Sequence, residues 1–163
     1  MVLGMDHVDR ILAQWRAARP GLDVSPMAVI GRLGRAAAVV DARLATTFAA
    51  HGIDAGTFDV LATLARQGEP SRITPAELAA DAMITTSAVA QRLNRLDRQG
   101  LIIREPNPDD GRGKFVRLTD AGRALLDAVL PDHLATEEEV LASLTSAERE
   151  TLARLLSKLV APE

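Results

Sequence analysis

Residues 74–118 constrain the fold most. Thr74-Pro75-Ala76-Glu77 is a helix start: a hydroxyl that caps, a proline at the first helical position, and a glutamate three residues on that reaches back. Leu78, Ala79 and Ala82 carry the helix a short way before Met83-Ile84 break it, and Thr85 or Thr86 caps a second helix that ends at Gly100. Two short helices joined by a tight turn make a helix-turn-helix. LIIRE (101–105) then reads as a strand, NPDDGRG (107–113) as a loop, and KFVRL (114–118) as a second strand with Phe115 and Arg117 alternating against Val116 and Leu118. The expected fold is mainly α with a small β-hairpin: a winged helix-turn-helix set among further helices.

The second helix must bury one face and offer the other. With Val89 at zero and about 100° per residue, Leu93 and Leu96 fall within about 40° of it, and Ser87, Gln91, Asn94, Arg95 and Arg98 fall at about 140–240°. Gln and Asn can read adenine and Arg can read guanine in the major groove, so this face and Thr86 at the helix start are the candidate DNA contacts. The same face also fits an ordinary solvated polar surface. Arg112, flanked by glycines at the hairpin tip, suits a narrow minor groove, with Asp110 two residues earlier extending its guanidinium and Lys114 near phosphate; as plain geometry, DDG is also simply a good turn. Arg92 lies about 60° from Val89, at the rim of the buried stripe, from where it can reach inward.

The flanks read as helices. Residues 5–18 carry Val8, Ile11, Leu12 and Trp15; Ser25-Pro26 start a helix running to about His51; Asp54 opens one that Gly68 closes; Thr119-Asp120 cap one reaching about Leu141; and Thr145-Ser146-Ala147-Glu148 open the last. The expected organisation is one domain in four stretches: an extra N-terminal helix and linker (1–24), dimerisation and scaffold helices (25–70), the winged helix-turn-helix (71–119), and C-terminal dimerisation helices (120–163).

Formal net charge is −3, but its distribution matters more. Residues 71–123 hold nine Lys/Arg against seven Asp/Glu, and the remainder ten against fifteen, so +2 and −5 sum to −3. The acidity belongs to the flanks, and a locally basic reading head is compatible with nucleic acid. Absence of cysteine removes thiol chemistry and suits a cytoplasmic protein, and no stretch suggests a membrane span or a secretory leader. His7, His51 and His133 form no ligand-spaced pair, and no nucleophile elbow, phosphate loop or dinucleotide fingerprint occurs. No catalytic residue, metal or cofactor is expected.

The segment from ELAADAMITTSAVAQRLNRL to GRGKFVRLTDAGRALL resembles the MarR family of bacterial transcription regulators, and the Asp110-x-Arg112 wing followed by LTDAGR is the most specific part of the likeness. The resemblance implies a homodimer whose terminal helices interlock and whose two winged helices straddle a palindromic operator. It also implies a transcription factor, usually a repressor, released from duplex DNA by a small ligand, working in the cytoplasm and on the nucleoid when bound. WRAARPGLDVSPMAVIGRL and GIDAGTFDVLATLAR resemble the urate-responsive, PecS-like branch. That likeness implies ligand-binding roles for Trp15, Asp59, Arg66 and Arg92, with Arg104 as a coupling residue. On residue chemistry alone, Asp59 and Arg66 share a helix face, which is usually solvated, and a lone Trp15 is usually core or interface. Two other readings stay open: a MarR-type regulator answering to a phenolic or salicylate-like acid, and a winged-helix protein-interaction module that binds no DNA.

Overall fold

The computed structural model describes residues 5–68, 73–83, 86–107 and 110–160, and the side chains of Thr86 and of residues 110–113 lie outside that description. The described elements run α1 (His7–Ala18), α2 (Ser25–Ala50), α3 (Ala55–Arg66), α4 (Pro75–Asp81), α5 (Thr86–Arg98), β1 (Ile102–Asn107), β2 (Asp110–Leu118), α6 (Asp120–Val140) and α7 (Ser146–Val160). The chain divides into two compact units, residues 1–43 and 44–163.

In the first unit, Asp6 caps α1 in a capping box completed by Asp9. Arg32 on α2 donates to both carboxylates, at 2.9 Å and 2.6 Å, tying α1 to α2. Val8, Leu12 and Val24 form a small core there. The start of α2 differs slightly from the sequence expectation. Ser25 is already helical, and the Asp23 carboxylate holds it, accepting from its amide at 2.9 Å and from its hydroxyl at 3.1 Å.

In the second unit the core joins α3, α4, α5, the hairpin and α6. Val60, Leu61 and Leu64 pack with Leu78, with Val89, Leu93 and Leu96, and with Ile102, Val116, Leu118 and Leu126. The expected apolar stripe of α5 is buried, and so are the inward positions of the second strand. The Thr74/Glu77 capping box is present, with Pro75 at the first turn. The strands pair antiparallel from Ile102↔Leu118 to Asn107↔Asp110, with an irregularity at Pro106/Asn107. Here the expectation needs correction: β2 begins at Asp110, not at Lys114. Its first residues are loop-like in composition, yet the strand continues past the irregularity because Asp110 pairs with Asn107 while Lys114 pairs with Pro106. Ile73 adds one bridge, its carbonyl accepting from the Val116 amide at 2.8 Å.

The hairpin is fixed to α6 at one tight point. The Thr119 hydroxyl donates to the Gly100 carbonyl at 2.6 Å and accepts from the Gly122 amide at 3.1 Å. A Cβ on Gly122 would stand 2.1 Å from the Leu101 carbonyl oxygen, so only glycine allows this approach.

Candidate nucleic-acid interface and its coupling residues

On α5, Ser87, Gln91, Asn94, Arg95 and Arg98 are all exposed, on the side opposite the buried Val89, Leu93 and Leu96. Arg95 and Arg98 fall in the last turn, where the helix dipole favours cations. Three of these side chains are already oriented. Asn94 Oδ1 accepts from Arg104 Nη2 at 2.6 Å, Arg98 Nε donates to the Asn94 carbonyl at 3.2 Å, and Arg95 stands 3.7 Å from Asp54. Lys114 is exposed on β2 opposite Pro106. Asp110 and Arg112 lie on β2 by backbone, while their side chains, like that of Thr86, lie outside the described structure.

Arg104 ties the wing to the reading helix. Besides Asn94 it faces Asp97, Nε to carboxylate 3.3 Å, close enough for an ion pair though without hydrogen-bond geometry. One strand arginine thus holds two turns of α5.

The turn between α4 and α5 is held from behind by α3. Asp59 accepts from the Met83 amide at 2.8 Å, Arg66 donates to the Asp81 carbonyl, and Gln67 donates to the Asp81 carboxylate at 2.9 Å. Asp59 and Arg66 therefore meet the same turn without bonding each other among the described contacts. Arg92 goes elsewhere. It is half-buried, pairs with Asp54, the N-cap of α3, and reaches the Thr57 hydroxyl at 3.4 Å. Partial burial pushes the Asp54 carboxyl up, but bonds from Arg92 and from Thr57 outweigh it and hold it below its ordinary value. Trp15 belongs to the other unit, is 40% exposed, and lines an open hollow with Arg19 and Leu22.

Sequence reasoning saw Asp54 only as a helix start. Its second role, as partner of an arginine 38 positions away, left no local trace. Gly56 was missed for the same reason: it is buried under the Arg92 guanidinium.

A helix-turn-helix backed by a hairpin, with an amide- and arginine-bearing outer face on its second helix, defines a winged-helix DNA-binding protein. Residues 51–113 match the MarR family. The HTH-type transcriptional regulator PecS of Dickeya dadantii (strain 3937) is 38% identical over 152 residues, 93% of this chain and 92% of its own length. Among solved structures, a mutant MarR from E. coli complexed with operator DNA superposes with a TM-score of 0.73 at 28% identity, covering 90% of this chain and 98% of that one. BpsR of Bordetella bronchiseptica, described with regulation of its DNA binding by 6-hydroxynicotinic acid, superposes with a TM-score of 0.73 at 27% identity, covering 82% and 98%. The chain belongs to the MarR family and is a DNA-binding transcriptional regulator of the PecS type, not an enzyme.

Proposed function

We propose that this regulator is a repressor that binds a palindromic operator as a homodimer and is released by urate or a related purine. The carrying observation is the position of Arg92. It stands on the reading helix but turns from the DNA-facing side toward the start of α3. Asp59 and Arg66, on the same α3, bond the turn that leads into that helix. An anion that recruits Arg92 or Arg66 acts directly on the placement of α5. Arginine supplies charge and paired donors for a flat anionic purine, and Asp59 accepts from ring N–H groups. Trp15 joins this set through the family resemblance, as a stacking face or N–H donor. Regulation of BpsR by a hydroxylated heteroaromatic acid favours a ligand of this general shape.

DNA is read by the outer face of α5 from Ser87 to Arg98, with Thr86 at its start. The wing contributes Arg112, Asp110 and Lys114. Arg104 is the coupling residue, since it grips α5 from β1. Dimerisation is supported by apolar side chains that each unit leaves exposed, such as Ile30 in the first and Leu155 and Leu159 in the second. The protein would work in the bacterial cytoplasm, on the nucleoid when DNA-bound.

The test is a gel shift on the DNA upstream of its own gene with and without urate, beside thermal shifts with urate, xanthine and salicylate. Urate is expected to stabilise the protein and release the DNA, and Arg92→Ala is expected to abolish release while the fold persists. Stabilisation by salicylate alone would favour a phenolic-acid regulator. Salt-independent or absent DNA binding would leave a protein-interaction module.

A further inference from the structure

The Arg92 guanidinium has an unusual seat. Gly56 lies beneath it, and a Cβ there would come within 2.6 Å of Nη2 and 2.9 Å of Cζ. Any larger residue at 56 would displace the group. Asp54 meets it from the helix cap, and Thr57 supplies a hydroxyl. The seat therefore has a charge, a polar neighbour and a clearance, and it holds the one described α5 arginine that turns from the outer face. An ion pair at this position fixes α5 against α3, yet the Asp54 side chain is 49% exposed, so the pair can open to solvent.

We propose that Asp54 is a positioning residue that acts as an internal anion: it holds Arg92, and through it the reading helix, until an anionic ligand displaces it, with Gly56 providing the clearance. This rests on the urate-release reading above and adds what the ligand must compete against. One guanidinium cannot serve both carboxylate and ligand at full strength. The free energy of the internal pair is thus subtracted from ligand affinity, and the ligand's gain is subtracted from the hold on α5. Linkage then fixes the signs: weakening the internal pair must tighten ligand binding and loosen operator binding.

Asp54→Asn and Gly56→Ala test this from two sides. Asparagine caps a helix as well as aspartate, so the first variant removes the charge and keeps the cap. Alanine is a better helix former than glycine and meets only the mobile end of Arg92, so the second keeps the fold and obstructs the seat. Circular dichroism and thermal melts confirm folding. Operator affinity is measured without ligand in wild type, both variants, Arg92→Gln, and the Asp54→Asn/Arg92→Gln double variant; urate-release midpoints are measured in the first three. Asp54→Asn, Gly56→Ala and Arg92→Gln are each expected to bind operator about three- to tenfold more weakly, and Asp54→Asn and Gly56→Ala to release it at a several-fold lower urate concentration. The operator effect of Asp54→Asn is expected to vanish when Arg92 is already Gln.

If wild type ignores urate, the reading above fails, and the operator measurements alone decide whether Asp54 positions α5 through Arg92. If wild type responds to urate while both variants keep wild-type operator affinity or wild-type release midpoints, the internal-anion role is overturned and the urate reading stands. Tighter operator binding by Asp54→Asn that persists beside Arg92→Gln also overturns it, because that pattern reports simple charge removal near Arg95.

Discussion

Gly56 and Gly122 are both buried, and in both places a Cβ would be too close to a neighbour, but the neighbours differ in kind. At Gly56 the obstacle is the end of a flexible arginine, which can swing away. At Gly122 it is the Leu101 carbonyl, 2.1 Å from the added carbon, and the backbone there is held by the Thr119 amide at 3.1 Å. Gly122→Ala must therefore separate the start of α6 from the hairpin, with loss of about 3 kcal/mol or more in urea unfolding. Gly56→Ala is expected to leave the unfolding free energy in urea within about 1 kcal/mol of wild type. Equal losses at the two sites would contradict this distinction between backbone and side-chain obstruction.

At the scale of elements, helix boundaries were the most legible part of the sequence. Thr74 with Glu77, Thr145 with Glu148, and Thr119 all cap as their spacing indicates, because a cap is decided within four residues. The buried stripe of α5 was legible because helical period alone fixes which side chains share a face. The start of β2 was not, since pairing of Asn107 with Asp110 depends on the partner strand. The Arg32 bonds to Asp6 and Asp9 and the Arg92 bond to Asp54 were not either, because each joins residues more than twenty apart. Caps and pairs share one consequence. The amide of Thr74 lowers the Glu77 pKa below 4.5, the amide of Thr145 does the same for Glu148, and Arg149 does so for Glu138. Their folded values lie below their unfolded ones. The stability they give is complete above about pH 4.5 and is lost as pH falls through the lowered native values. Melting temperature is expected to be flat with respect to these groups above about pH 5.5 and to fall steadily below about 4.5. Glu77→Gln and Glu148→Gln should each make that acid decline shallower, and an unchanged decline would show that these carboxylates do not set it.

At the scale of the whole molecule, α7 raises the question of what its apolar side chains are for. None of its described residues is buried, and Leu152, Leu155 and Leu159 are 40%, 49% and 60% exposed. Yet the helix is firmly rooted. Arg149 donates to both oxygens of Glu138 at 2.7 Å, to the Leu141 carbonyl at 2.9 Å and to the Leu144 carbonyl at 3.2 Å. A rooted helix with an uncovered leucine row is suited to face another protein, and on the proposed reading of a palindromic operator that partner is a second copy of this chain. Leu155→Asp places a charge in the middle of that row and removes nothing from the core of either unit. It is expected to shift the protein from about twice 17.4 kDa toward 17.4 kDa in light scattering, with the helical signal retained. Operator affinity should fall by more than about a hundredfold, because one reading head loses its tethered neighbour. The slope of log affinity against log salt should fall to about half, since one monomer displaces about half the counterions. A variant that stays dimeric, or that loses affinity without changing the salt slope, would place the dimer interface elsewhere than α7.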